Sequence, residues 1–359
     1  VAAQIEKSSV WGVASIVLTA ATIIVGLVFG QPFLVPVVIA LLIATLIGAG
    51  ADRLQTLGVP GPLATIGAVV IVIIGIAAVF DVLASQTDAV IEAWPRYLQR
   101  LETLSNQALA WVGPGISGKI NQALNSVDLA QLVPGLIGSA GGFLASVALV
   151  AIYIAFLLAE RGRLPGKIDR MFSSSERTAK LRRIITDIAE SIRRYIWIKT
   201  IMSLLTAGIS YAVLKLLKVD FAETWVLIIF LLNYIPSIGS VLGVLFPALL
   251  ALLQFDTTWQ FLIIAIVLSS TQIVIGNVVE PHFMGRTLNL SPFVVIASLA
   301  FWSMIWGVVG AFLSVPMTTA LVIACSHIPS CRWIAVLLSD EGLIGGDLDR
   351  PEKSSAVAD

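Results

Sequence analysis

The 359-residue chain is 58% hydrophobic and 12% charged, with a mean hydropathy of +0.96. Soluble domains carry roughly 25% charge, so this composition excludes an ordinary water-facing fold and points to a polytopic membrane protein. The zero formal net charge argues against nucleic acid as a partner, and Cys325 and Cys331 form neither a disulfide framework nor a metal-binding spacing.

A helix of about 20 apolar residues crosses the roughly 30 Å hydrocarbon core of a bilayer. Such runs lie at 10–29, 33–50, 63–83, 136–159, 201–217 and 259–279, and predict an all-α fold with about six full transmembrane helices. The first run reads as a true span rather than a signal peptide, because it is too long for an h-region and a second span follows at once. Residues 1–83 thus form a block of three spans. Between 84 and 135, Ile91, Trp94, Leu98, Leu101, Leu104, Ala108 and Trp111 recur at helical spacing, and Ile116, Ile120, Leu124, Val127 and Leu132 repeat the pattern. This segment reads as an extracytoplasmic amphipathic helical insert, either a cap over the span ends or a surface between copies.

After the fourth span, 136–159, residues 160–200 hold Arg161, Arg163, Lys167, Arg170, Arg177, Lys180, Arg182, Arg183, Arg193, Arg194 and Lys199, half of the 22 basic residues. Basic loops stay on the cytoplasmic side. The segment 160–200 is therefore expected in the cytoplasm, 84–135 outside, and both termini inside. Anionic lipid and topology account for such a cluster without nucleic acid.

The transport region is expected at 201–324, where two stretches, 225–253 and 293–323, are too long for one ordinary span. The first is interrupted by Asn233, Tyr234, Ile235, Pro236, Ser237, Ile238 and Gly239; the second carries Gly307 and Gly310 near its middle and Pro316 later. Proline removes a helical donor and glycine permits a turn. Each stretch is either a kinked span or a re-entrant hairpin, and the matched lengths and central breaks favour hairpins. Broken helices in transporters commonly build the substrate site. Residues 325–359 read as a partly disordered cytoplasmic tail.

Enzyme chemistry finds little support. His282 and His327 are the only histidines, too few for a zinc cluster or a histidine-based triad. The run from Gly113 to Lys119 approaches a P-loop, but Ile120 stands where the magnesium-binding hydroxyl is required. No cofactor or metal is expected. Polar residues among the late spans are more telling: Ser269, Gln272, Gly276 and Glu280 share one helical face, with Asn277 flanking. Buried amides and carboxylates are costly in lipid and should face protein or a water-filled path. Glu280 is the candidate for coupling to sodium or protons, the alternative being a carboxylate solvated at a helix end. Ser237 and Ser240 at the first break, and Ser303, Ser314, Thr318 and Thr319 in the second stretch, offer hydroxyls to a solute or simply bond to their own helices. Trp302 and Trp306 either wall the site or anchor at the interface.

The run from Asn233 to Gly239, the run from Val279 to Gly285, the Leu290, Ser291, Pro292 triplet, and Phe301, Trp302, Trp306, Gly307, Gly310, Val315 and Pro316 at their spacing resemble the autoinducer-2 exporter (AI-2E) family of bacterial permeases. The hydropathy layout extends the match to about residue 325. The resemblance implies a bacterial inner-membrane transporter working as a homo-oligomer, with a pentamer as one candidate, by an elevator-like movement of two hairpins. It implies export of a small polar solute such as autoinducer-2; sodium (or lithium)–proton antiport is the alternative, with Asp81 or Glu160 assisting Glu280. A membrane scaffold that transports nothing is the reading from outside this class. The residues assigned to the solute path are Asn233, Pro236, Ser237, Gly239, Gln272, Asn277, Glu280, Pro281, Trp302, Trp306, Gly307, Gly310 and Pro316.

Overall fold

The computed structural model describes residues 17–112, 129–171, 174–284, 289–340 and 342. The P-loop-like turn at 113–120, most of the second amphipathic stretch, Arg286 and the acidic tail lie outside the described residues. The described elements are all helical. They are α1 (Val17–Phe29), α2 (Gln31–Thr56), α3 (Gly61–Val112), α4 (Leu129–Arg161), α5 (Leu164–Met171), α6 (Ser175–Leu216), α7 (Ala222–Leu232), α8 (Ile238–Gln254) and α9 (Trp259–Val274). A π-helical turn, Ile275–Val279, joins α9 to α10 (Glu280–Met284), and α11 (Pro292–His327) and α12 (Arg332–Leu338) follow.

Among the described residues, five helices are long and apolar enough to cross a membrane by length and composition: α2, the 61–86 part of α3, α6, the 259–284 segment and α11, the last of which is interrupted at Gly307. A sixth span is reached if 145–161 of α4 and α5, bent by 69° at Gly162 and Arg163, count as one broken span. Gly162 lies at the bend and Pro165 just beyond it, residues that interrupt or redirect a helix. The helices expose apolar surface freely: Ile66, Ile71, Ile73 and Ile74 on α3 are each more than half exposed. Contiguous apolar area of this kind belongs against lipid.

One expectation is corrected. The span 63–83 and the amphipathic stretch after residue 84 are one 52-residue helix, α3, so no separate extracytoplasmic insert stands out among the described residues. No glycine or proline lies between Gly75 and Pro95 to stop the helix, and Pro95 sits inside it. Helix α6 runs through residue 200 without a break.

The described residues divide into two compact units. One lies within Val1–Leu46, Ser146–Ile192 and Asn289–Asp359, the other within Ile47–Ala145 and Arg193–Leu288. The second unit is centred on Leu214, Val219, Ala222, Ile229, Ala248, Ala251, Ile264 and Leu268. Here α7 and α8 run antiparallel: Trp225 and Phe246 stack with ring centroids 6.3 Å apart, and a methyl group on Gly243 would touch Ile229 at 3.6 Å. The late part of α3 ties down their open end. Tyr97 Oη donates to Asp220 Oδ2 at 2.7 Å, and Arg100 donates to the carbonyls of Phe255 and Asp256 at 3.3 and 3.2 Å. Burial first, then the hydrogen bond and charge of Asp220, raises the Tyr97 hydroxyl above its ordinary pKa of 10.0.

In the first unit, α11 departs from helical geometry at Gly307 (φ 62°, ψ −141°), a conformation that favours glycine. Trp302 Nε1 donates to Thr318 Oγ1 at 3.1 Å. Sixteen residues along a straight helix span about 24 Å, so the chain must fold back between them. Trp306 Nε1 donates to the Leu27 carbonyl at 3.0 Å, and the two indoles pack 5.2 Å apart in a core with Leu313, Leu34 and Leu42.

Candidate functional site

The sequence marks 201–217 simply as an apolar run, but α6 has two unlike faces. Lys199, Ser203, Thr206 and Ser210, spaced by three or four residues, are buried at 7%, 0%, 0% and 1% exposure. Trp197, Leu204, Leu205 and Ile209 on the remaining surface are exposed. Water would favour the opposite arrangement. A helix with hydroxyls and an ammonium inside and leucines outside is stable where the surrounding medium is lipid.

One turn of that buried face holds three groups from elsewhere in the same unit. Lys199 Nζ pairs with Glu280 Oε1 at 2.6 Å, Thr200 Oγ1 and the Tyr234 hydroxyl share a hydrogen bond of 2.7 Å, and Asn233 Nδ2 donates to Ser203 Oγ at 3.0 Å. The Asn233 and Tyr234 side chains come from the turn between α7 and α8, and both are buried. At this turn Ser237 has φ 60° and ψ −53°, and Ile238 N donates to Pro236 O at 2.6 Å. That is a γ-turn of the strained kind, which costs on the order of 1–3 kcal/mol and persists only where the surroundings impose it. Gly239 completes the turn: a Cβ there would lie 1.8 Å from the Leu232 carbonyl oxygen.

On α9, Gln272 is 9% exposed and its side-chain amide forms no hydrogen bond among the described residues. Its Nε2 lies over Gly243, 3.5 Å from where a Cβ would stand, so the missing side chain leaves space for the amide between α8 and α9. The π turn begins three residues later at Ile275. Such turns insert a residue into helical register and frequently mark functional sites. It also interrupts the face expected from Ser269 to Glu280: Gln272 is buried, Ser269, Gly276 and Glu280 are half-buried, and Asn277 and Pro281 are exposed.

The remaining sequence-marked residues belong to the other unit. Trp302, Trp306, Gly310 and Pro316 are buried and Gly307 is exposed. A Cβ on Gly310 would lie 1.9 Å from the Trp302 carbonyl oxygen, so both broken stretches use a glycine pressed against a carbonyl at their turns. Ser303 and Ser314 bond to their own helix, at Leu299 O and Ala311 O, while Thr319 Oγ1 is buried without a partner among the described residues. Glu160 is paired with Lys167.

These features fall within residues 16–330, the stretch matched by the model for AI-2E family transporters. The chain belongs to the AI-2E family. It is 32% identical over 329 residues to the AI-2 transport protein TqsA of Escherichia coli (strain K12), covering 89% of this chain and 92% of that protein. It is 28% identical over 321 residues to the putative transport protein YhhT of the same strain, covering 88% and 90%. A putative transport protein of Haemophilus influenzae is 36% identical over 200 residues, 55% of this chain and 57% of that one. Membership makes the chain a multi-pass secondary transporter of the inner membrane rather than an enzyme.

Within this AI-2E transporter, sequence reasoning missed Lys199, Ser203 and Tyr234 as parts of the polar cluster. The three- and four-residue spacing of Lys199, Ser203, Thr206 and Ser210 was the available signal, hidden because the surrounding run is apolar enough to read as an undivided span.

Proposed function

We propose that the protein exports a small, uncharged, hydroxyl-bearing solute of the autoinducer-2 kind across the bacterial inner membrane. The observation that carries this reading is Gln272, 9% exposed as a residue, whose amide makes no hydrogen bond among the described residues and lies over Gly243. A carboxamide offers both donors and an acceptor, so this one can hydrogen-bond a passing hydroxyl. Asn233, held by Ser203 at the strained turn, supplies the second amide. The printed name of the E. coli relative, an AI-2 transport protein, supports the choice of solute.

In this proposal the stretches 225–253 and 293–323 are re-entrant hairpins whose tips are shaped by Pro236, Ser237 and Gly239 and by Gly307 and Gly310. Asn277, Pro281, Trp302, Trp306 and Pro316 border the solute path. The segment 160–200 and both termini face the cytoplasm, and the protein is a homo-oligomer whose copies work by an elevator-like movement. The test is release of autoinducer-2 from proteoliposomes. Release by the wild type that is lost in Q272A and N233A supports the reading; release unaffected by both substitutions overturns the assigned solute path, and no release from the wild type favours a scaffold. Sodium–proton antiport is the second reading, favoured by the half-buried carboxylate of Glu280. It requires a sodium-driven change of lumenal pH that E280Q abolishes.

A further inference from the structure

Glu280 is the carboxylate that the sequence singles out for ion coupling, yet its charge is already matched. Lys199 lies 2.6 Å away, with the two side chains only 9% and 16% exposed. Six other ion pairs, Arg182–Asp169 and Lys215–Glu223 among them, each have at least one side chain more than a third exposed. A carboxyl group in this position either takes up a proton or is matched by a cation, because an unmatched charge among membrane helices is expensive. That cation comes either from solution or from the protein.

Here it comes from α6, and from the turn whose next buried positions hold the hairpin. Lys199 grips Glu280, Thr200 bonds Tyr234 and Ser203 bonds Asn233. The carboxylate and the amide-bearing turn are therefore fixed by one helical segment, with a tethered ammonium in the place of a diffusible ion.

We infer that Lys199 is a built-in substitute for a coupling cation: it occupies the position at which a monovalent inorganic cation would bind Glu280 and so frees solute transport from sodium. The inference rests on the transport reading above. Lys199 thereby determines ion specificity, and removing its charge uncovers a sodium site at Glu280. An ion pair with a purely structural role makes the opposite prediction, since sodium would then be no remedy for its loss.

The experiment compares wild type, K199Q, K199R and K199Q/E280Q purified in detergent in sodium chloride or in choline chloride at equal ionic strength. Thermal unfolding is the readout, because a ligand that binds only the folded state raises its stability. Sodium is expected to raise the K199Q midpoint by about 2–4 °C over choline, and to leave the other three unchanged. K199Q that folds in sodium but not in choline is the same result in a stronger form. K199Q that fails to fold in both salts, or that folds with equal midpoints, overturns the inference, as does an equal sodium shift in the wild type. Release of autoinducer-2 is measured separately: a silent wild type counts against the proposed solute, while the sodium comparison still decides the role of Lys199.

Discussion

Gly310→Ala tests the turn in α11 directly. A Cβ at this position would lie 1.9 Å from the Trp302 carbonyl oxygen and 2.6 Å from its carbon, whereas ordinary contact begins at 3.4 Å. The two arms must therefore separate by about 1.5 Å, the difference between 3.4 and 1.9 Å. Backbone cannot swing aside as a long side chain can. The same displacement carries the 3.1 Å bond from Trp302 to Thr318 beyond hydrogen-bonding range. Overpacking costs about 1–3 kcal/mol and a lost hydrogen bond about 0.5–1.5 kcal/mol, so the midpoint of thermal unfolding in detergent should fall by roughly 2–6 °C. Gly208→Ala is the control: its Cβ meets nothing within 4 Å, and alanine in a helix interior is favoured over glycine by roughly 0.5–1 kcal/mol. Equal midpoints for G310A and G208A would refute the close approach of the two arms.

Other consequences follow from the second unit. N233A removes the donor to Ser203 and should cost about 1 kcal/mol, with loss of solute release beyond what a destabilised variant away from the path, such as Y97F, shows. Y97F removes a hydrogen bond to the Asp220 carboxylate and should cost about 1.5–3 kcal/mol at neutral pH by thermal unfolding. Because the folded-state pKa of Tyr97 is raised above 10.0, its contribution is complete below that pH and is lost as the pH climbs beyond it. The gap between wild type and Y97F should accordingly narrow in strongly alkaline buffer. A cysteine replacing Arg286, in a background without Cys325 and Cys331, should resist an impermeant thiol reagent applied from outside; labelling would defeat the double-hairpin topology.

The membrane class, the family and most spans are legible in the chain because lipid imposes a one-dimensional requirement, a long run of apolar residues, that no tertiary contact has to supply. The breaks at Pro236 and Gly307 are legible for a similar reason, since proline and glycine act on their own backbone. The joining of the third span to the amphipathic stretch was not, because helix continuation depends on the absence of a stop signal, which a change from apolar to amphipathic composition imitates.

The site divides in the same way. Gln272, Asn233 and Glu280 stand out as polar residues in apolar surroundings, but their partners do not. Lys199 is 81 positions from Glu280, and Ser203 is 30 from Asn233. In the sequence Lys199 is the last member of a basic cluster, set apart from Arg193 and Arg194, which remain exposed, only by its helical spacing to Ser203, Thr206 and Ser210. Its role follows from the direction in which α6 turns. One face of that helix is closed by the α7–α8 turn and the end of the π turn, so an ammonium on it must find a carboxylate, while the other face meets lipid. The sequence alone determines which residues can live in a membrane; the tertiary structure decides which charge answers which, because pairing across α6 depends on distance in space rather than along the chain.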